Sequence, residues 1–548
     1  MDELASSVLA VFILISSSIF WYSWIFKKSR KQTDLLPPGP RGLPILGYLP
    51  FLHTNLHLQF TELAHRYGPI YKLWLGQKLC FVVNSPSLIK EVVRDQDTIL
   101  ANHDAPVAGL IATYGGLDIV WSPYGPYWRE MRKTFVREML SNSNLEASYN
   151  LRKDKVQKAI RDVYAKIGSS IDIGELAFVT ELNVVMNLLW GGTIDGDDKQ
   201  DKVGAEFRKV ASKVVDLLGK PNISDFFPIL ARFDIQGIAK KMKNCLPYVD
   251  GILDNVINEH TKMVSVGVEG ATGRRDGKKD FLQILLELKE KVTSVTMIQI
   301  KAIMMDIVVG GTDTTATVVE WVMTEILKNP DVMKRVQQEL TNVVGTNTLV
   351  EEFHLSKLQY LDAVVKETFR LHPPLPLLVP RISSQSCMLG GYTIPKGSRV
   401  FLNIWSVYMD PQVWENPSEF KAERFLNIDD GKLWDYLGNN FEYLPFGSGR
   451  RICPGLHLAE KMVMYVLASL LHSFDWKLPE GENVDLSETF GIVMRKTKPL
   501  IAIPSPRLSS LSIYRALLET GNNGSQLEAQ GVRHSECTHH MSGEPLCL

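Results

Sequence analysis

From Leu4 to Phe26 the chain carries no charge and is mostly apolar, broken only by small serines and edged by Trp21, Tyr22 and Trp24. As a helix at about 1.5 Å per residue this run spans about 35 Å, enough for a hydrocarbon core of roughly 30 Å. Asp2 and Glu3 precede it, and Lys27, Lys28, Arg30 and Lys31 follow it. That asymmetry predicts one membrane-crossing helix with its basic side, and the body of the chain, in the cytosol. A cleaved secretory signal is the other reading of such a run, but its leading segment is basic and its apolar core shorter.

The pattern then changes. Leu36-Pro37-Pro38-Gly39-Pro40-Arg41-Gly42-Leu43-Pro44 cannot be helix and predicts a stiff, extended hinge. Leu56, Phe60, Leu63 and Tyr67 share one helical face. Short strands follow near Ile70 to Leu75 and Leu79 to Val83, and Ser85-Pro86 reads as a helix start. Ser141 to about Glu290 is mostly helical in pattern, interrupted by a Gly- and charge-rich loop from Gly267 to Lys279. The longest helical pattern runs from about Ser294 to Lys328 and stops at Asn329-Pro330; as a helix it measures about 52 Å, long for a globular protein. Leu358 to Leu371 predicts another helix, ended by His372-Pro373-Pro374, and Leu456 to His472 a last one. Tyr392-Thr393-Ile394 and Arg399-Val400-Phe401-Leu402 read as strands joined through Pro395-Lys396-Gly397. The fold class expected is mainly α with a small β component. Its parts are an anchor with a basic stop (1–31), a proline-rich hinge (32–50), one mostly helical body (51–514) and a disordered tail (515–548).

Composition narrows the partners more than the fold. With 45% hydrophobic and 22% charged residues and a net charge of −1, nothing points to nucleic acid or to a disordered acidic chain. Six cysteines, scattered along 548 residues, are not a secreted disulfide framework, which places the body in a reducing compartment and leaves at least one cysteine to explain.

That cysteine is Cys453. Phe446-Gly447-Ser448-Gly449-Arg450-Arg451-Ile452-Cys453-Pro454-Gly455 is a glycine-held loop leading through a cysteine into an apolar helix. Glycines allow close backbone approach to a flat partner. The helix N-terminus and the arginines lower the cost of a thiolate. A lone thiolate suits haem iron better than zinc, which wants four ligands. A buried free cysteine in a glycine turn is the bland alternative. The complete pattern Phe-x-x-Gly-x-Arg-x-Cys-x-Gly resembles the cytochrome P-450 superfamily, and the resemblance runs from about Pro37 to Pro504.

Several further residues take roles by that resemblance. Phe446, Gly449, Arg451 and Gly455 match the cofactor loop, and Cys453 the axial ligand of haem b (iron protoporphyrin IX). Glu367-Thr368-Phe369-Arg370 matches the Glu-x-x-Arg helix motif, whose residues form a structural triad with Arg424; Ala422 stands where relatives usually carry proline, which loosens that turn slightly. Trp128 and Arg132 match a Trp-x-x-x-Arg pair that binds a haem propionate, with Arg381 and Arg451 as two more propionate ligands. Gly310-Gly311-Thr312-Asp313-Thr314-Thr315 falls inside the longest helix, where each glycine costs about 1 kcal/mol against alanine and so asks for a reason. By resemblance the helix passes close to the haem there, Thr314 holds dioxygen and Asp313 relays protons for O–O cleavage. Read alone, the pair is also compatible with an incidental kink.

The implied fold is that of a cytochrome P-450 behind one transmembrane helix. The implied reaction is hydroxylation of a small lipophilic substrate with O₂ and electrons from NADPH through NADPH–cytochrome P-450 reductase, with cytochrome b5 as a further donor. The Leu-His-Pro-Pro run and the Cys-Pro-Gly variant are most similar to plant endoplasmic-reticulum members, within them to the terpenoid and flavonoid hydroxylase group. Substrate choice is expected in Ala105 to Val120, Ile303 to Val309, Leu375 to Val379 and Phe490 to Met494, which are predominantly apolar. Arg129, Lys133 and Arg137 are either a docking face for an acidic donor or a solvated helix face. His534, Cys537, His539 and His540 have metal-like spacing in the tail, where such clusters rarely mean structure. Two other function classes stay open: a haem-thiolate isomerase or dehydratase needing no external electrons, against which the Asp313-Thr314 pair argues, and a non-catalytic haem-binding membrane protein.

Overall fold

Helix α4 (Met297–Lys328, 32 residues) runs through the body with apolar side chains buried on all sides. It starts after Thr296, whose hydroxyl accepts from Gln299 N at 3.3 Å while the Gln299 side chain accepts from Thr296 N at 2.7 Å. That reciprocal cap satisfies two orphan N–H groups and places the start later than the expectation near Ser294. The computed structural model describes residues 12–13, 15–20, 35–191, 210–265, 279–291, 295–426, 434–508 and 514. Most of the expected anchor, nearly all of the 267–279 loop and the 515–548 tail lie outside the described residues. Of the anchor, residues 12–13 and 15–20 are helical and expose Phe12, Ile13, Ile15, Ile19 and Phe20.

The other elements that bear on the site are α1 (Leu56–Tyr67), α2 (Pro126–Glu138), α3 (Ile173–Trp190), α5 (Gln359–Leu371) and α6 (Leu456–Ser473). Both α3 and α4 are long and apolar enough to cross a membrane, yet 67% and 72% of their apolar windows are buried inside the body. They are core helices packed on each other, and one large core cluster joins them to α5 and α6.

A five-stranded sheet flanks this helical body. It contains β1 (Ile70–Leu75), β2 (Lys78–Val83), β3 (Asn102–His103), β4 (Arg381–Ile382) and β7 (Arg399–Leu402), in the order β1-β2-β7-β4-β3. β1 and β2 form an antiparallel hairpin with Ile70 opposite Val83, and β2 runs parallel to β7 with Cys80 opposite Arg399. β5 (Cys387–Leu389) and β6 (Tyr392–Ile394) form a separate hairpin. The expected strands Tyr392–Ile394 and Arg399–Leu402 therefore both exist but belong to different sheets, and Pro395-Lys396-Gly397 carries the chain between them.

Glu367 and Arg370, one turn apart on α5, are completely buried. Arg370 Nε and Nη2 each donate to Glu367 at 2.8 Å, and its remaining N–H groups reach the carbonyls of Tyr408 (2.9 Å), Pro417 (2.6 Å) and Glu419 (3.2 Å). Lys421 N and Arg424 Nε donate to Glu367 Oε1 at 2.9 and 3.3 Å. Ala422 is itself buried at the head of a 3₁₀ turn (Ala422–Phe425), so the turn packs without a proline ring.

α1 closes one side of the sheet and carries a buried histidine. His57 stacks on Phe490 (5.5 Å, 20°) and meets Trp405 edge-on (5.3 Å), and among the described residues its Nδ1 has no hydrogen-bond partner. Burial pushes its pKa down to about 4, with Glu488 opposing. Between the ordinary value of 6.5 and about 4 the unfolded chain takes up a proton here that the folded chain does not. The stability held by neutral His57, on the order of 3 kcal/mol, is present above that window and lost as pH falls through it. Urea unfolding of His57→Phe is expected to show a flatter acid limb than the wild type. An unchanged limb would place the acid sensitivity elsewhere.

Candidate active site

The Cys453 loop is shaped by its glycines. Gly447 and Gly449 both sit in the left-handed region, at φ 71° and 70°. A Cβ on Gly449 would lie 2.2 Å from the Val93 carbonyl oxygen, so only glycine lets the loop rest against that turn. Cys453 N donates to Phe446 O at 3.0 Å, and Ser448 Oγ to Gly438 O at 2.6 Å, which closes the loop on itself. The Phe446 ring is wedged between Phe369 of α5 (5.4 Å) and Tyr436 (5.3 Å). Gly455, the residue before α6, faces Cys453: a Cβ there would stand 3.8 Å from Sγ, an ordinary contact that alone does not demand glycine. Burial pushes the Cys453 thiol up, while the N–H groups of Gly455 and Leu456 at the start of α6 and the Arg132 guanidinium pull it down.

Three arginines gather behind this loop. Arg132 on α2 donates to Ile452 O. Arg381 on β4 donates to Leu100 O and Ser448 O, both at 3.1 Å, with Asp97 at 3.7 Å. Arg451 reaches the carbonyls of Ala101, Ile119, Val120 and Ser122, the last at 2.6 Å. Trp128 lies between two of them, its ring 4.4 Å from the Arg451 guanidinium and 5.4 Å from that of Arg132. Its indole N–H donates to Ile119 O at 2.9 Å, so what Trp128 offers the site is its ring face. Burial pushes Arg451 down to about 9, with Arg381 and Arg132 repelling it further; burial likewise pushes Arg381 down to about 10, opposed by Asp97. Guanidiniums held that close, bonded mostly to carbonyls, call for a ligand with more than one negative charge.

The middle of α4 carries the Gly310-Gly311 pair. Its two glycines differ in purpose. Gly311 faces α3, where a Cβ would come within 3.1 Å of Val185, so this glycine serves helix packing. Gly310 is exposed and a Cβ there would meet nothing within 4 Å, so no packing contact within the protein demands this glycine. Thr314 Oγ donates to Gly310 O at 2.9 Å. Asp313 is buried and turned away, with Arg495 Nη2 2.6 Å from its Oδ1 and Arg495 Nε 3.1 Å from its Oδ2. Burial raises the Asp313 pKa and Arg495 lowers it. Among the described residues no hydrogen bond joins Asp313 to Thr314.

One turn earlier, Asp306 accepts from Ile119 N at 3.1 Å and so ties the 117–121 loop to α4. Asp118 in that loop accepts from Trp121 N at 3.2 Å. Burial pushes Asp118 up to about 6, and burial with the nearby Asp118 raises Asp306 well above the carboxylate range. Asp306 also pushes the Cys453 thiol up electrostatically, a smaller effect than burial. Of the four segments expected to choose substrate, the structure joins two pairs: Met494 N donates to Pro374 O at 2.8 Å, beside Leu375 to Val379, and the 105–120 segment meets α4 through Asp306; Leu378 lies beside Gly447. Arg129, Lys133 and Arg137 are all exposed along the outer face of α2, whose inner face holds Trp128, Met131 and Phe135. Reading the sequence missed Arg495, Asp118 and Asp97; none carries a local signal.

A flat porphyrin whose iron meets Cys453 Sγ and whose paired carboxylates meet Arg132, Arg381 and Arg451 fits this donor set, which defines a haem-thiolate protein. The chain belongs to the cytochrome P450 family, whose model matches residues 37–503. It is 39% identical over 484 residues to the geraniol 8-hydroxylase of Swertia mussotii, covering 87% of this chain and 95% of that one. It is 36% identical over 522 residues to the flavonoid 3',5'-hydroxylase CYP75B138 of Crocosmia x crocosmiiflora, covering 92% and 97%. A zebra fish cytochrome P450 solved with abiraterone superposes with a TM-score of 0.68 at 26% identity, covering 82% of this chain and 99% of that one. As a member of the family the protein is a haem-dependent monooxygenase, an oxidoreductase that uses dioxygen, a redox partner and a lipophilic substrate.

Proposed function

We propose that the protein hydroxylates a small terpenoid or a flat phenolic of the flavonoid type, with electrons from NADPH delivered by a membrane-bound reductase. The observation that carries this reading is the similarity, over most of the chain, to a geraniol 8-hydroxylase and to a flavonoid 3',5'-hydroxylase, joined to the predominantly apolar make-up of the four segments expected to choose substrate. Bound haem supplies the one-electron and dioxygen chemistry that the side chains lack. The chain's own residues do the rest. Arg132, Arg381 and Arg451 hold the propionates; the Gly455 and Leu456 N–H groups with Arg132 favour the Cys453 thiolate. Gly310 keeps α4 from filling the space above the cofactor, and Asp313 with Thr314 moves protons inward. The apolar run ending at Phe26 anchors the protein in the endoplasmic-reticulum membrane, with the body in the cytosol, where Arg129, Lys133 and Arg137 offer a basic face to an acidic donor.

The test is a microsomal assay with co-expressed reductase, offering geraniol and a flavonoid separately and reading products by mass spectrometry. A product one oxygen heavier that requires NADPH supports the reading. A product formed without NADPH would instead indicate an isomerase. Thr314→Ala is expected to retain haem and NADPH oxidation but to release peroxide in place of most product, a loss of coupling of about tenfold or more. Wild-type coupling in that variant would remove Thr314 from the proton route.

A further inference from the structure

Asp313 is the acid read above as the inward proton carrier, yet it is gripped at both oxygens by one guanidinium. Arg495 Nη2 lies 2.6 Å from Oδ1 and Nε 3.1 Å from Oδ2. The same side chain reaches Asp216 Oδ1 through Nη1 at 3.4 Å. Exposure rises along the row, with the Asp313 side chain 11% exposed, Arg495 33% and Asp216 59%. The row therefore leads from the interior of α4 to solvent.

Arg495 is not on α4 but on a short hairpin of β8 (Glu488–Thr489) and β9 (Arg495–Lys496), with Thr489 opposite Arg495. The loop of that hairpin, 490–494, is one of the segments expected to choose substrate. The 210–219 helix that carries Asp216 packs tightly on the same loop: a Cβ on Gly219 would lie 2.9 Å from Ile492 N. One guanidinium thus joins α4, the hairpin loop and the 210–219 helix.

We propose that Arg495 is a positioning residue for proton delivery, and that it links the delivery to how the substrate-facing hairpin sits. It sets the orientation of the Asp313 carboxylate and keeps it charged at rest. The proton passes from water at the Asp216 rim to a carboxylate oxygen of Asp313 and onward past Thr314; Arg495 loses no proton, and its bonds shift between Asp313 and Asp216. A substrate that moves the 490–494 loop or the 210–219 helix changes that division, and with it the readiness of Asp313. The inference rests on the reading of Asp313 as proton carrier.

The test uses the full-length protein in microsomes with reductase, comparing Arg495→Gln, Arg495→Lys, Asp216→Asn and Asp313→Asn. Four quantities are measured: product per NADPH, the solvent deuterium isotope effect on product formation, haem content from the reduced carbon monoxide spectrum, and substrate affinity from the optical shift on binding. Arg495→Gln is expected to lower product per NADPH about tenfold and raise the isotope effect, with haem content and substrate affinity within about twofold of wild type. Arg495→Lys, which keeps the charge, should recover a large part of the coupling, and Asp216→Asn should change it mildly. Wild-type coupling and isotope effect in Arg495→Gln would overturn the proposal, as would a parallel loss of haem in both the Gln and Lys variants, which marks a structural role. If Asp313→Asn is itself fully coupled, the reading of Asp313 fails and the proposal with it. If Asp313→Asn uncouples while Arg495→Gln does not, the proposal alone fails.

Discussion

Arg370→Met should yield little or no haem-loaded protein. The guanidinium is completely buried and meets Glu367, itself completely buried, through two bonds of 2.8 Å. Removing one partner of a buried pair costs about 3–5 kcal/mol when the other is left uncompensated, and here Glu367 would keep only Lys421 N and the 3.3 Å contact of Arg424. The carbonyls of Tyr408, Pro417 and Glu419 also lose their donor, and they lie in the stretch that leads toward the Cys453 loop. Since a domain holds only about 5–15 kcal/mol in total, this one change removes a large share of it. Arg370→Lys keeps the charge but not the planar fork, so it should fall between the two. Haem per mole of purified protein and the thermal midpoint read the effect. Wild-type haem loading in Arg370→Met would show that the pair is dispensable. Arg424→Ala should cost much less, because its 3.3 Å bond to Glu367 is secondary to the pair.

The difference between those variants illustrates what was legible in the sequence. Chemistry written within a few residues could be read: the glycine-held cysteine loop, the Glu-x-x-Arg turn, the uninterrupted apolar helix that became α4. The start of α4 was legible too and was misplaced. Thr296 with Gln299 three residues on is the reciprocal cap signature, whereas Ser294 has Met297 at that position. The glycine pair was read as one device, but neighbours on a helix point about 100° apart. Only packing against Val185 shows that Gly311 belongs to the interface with α3, whereas Gly310 meets open space. Long-range pairings were not legible at all. Arg495 stands 182 residues from Asp313, and Arg152, fully buried, meets Glu352 across 200 residues at 2.6 Å. Nothing near either arginine distinguishes it from a surface charge, because its partner exists only once the helices have packed.

Cys453→Ala is expected to abolish the reduced carbon monoxide band characteristic of thiolate ligation, and turnover with it. Alanine leaves the loop intact: its N–H can still reach Phe446 O, and Gly449 still rests on Val93. The three arginines remain as well, so the variant should keep an anion-binding cradle and take up haem weakly. What it lacks is a replacement thiolate, since Cys80, Cys245 and Cys387 are buried elsewhere in the body. Haem stoichiometry and the carbon monoxide spectrum therefore answer separate questions. Haem bound without the thiolate band would assign iron ligation to Cys453 and retention of the macrocycle to Arg132, Arg381 and Arg451. Complete loss of haem would mean that the sulfur bond dominates affinity and the arginines mainly orient. A persisting thiolate band would move the ligand to another cysteine. Cys453→His sharpens the comparison: with an imidazole at the head of α6 the band should move to the position of histidine-ligated iron and oxidation of substrate should still fail, because the electron density that favours O–O cleavage comes from sulfur.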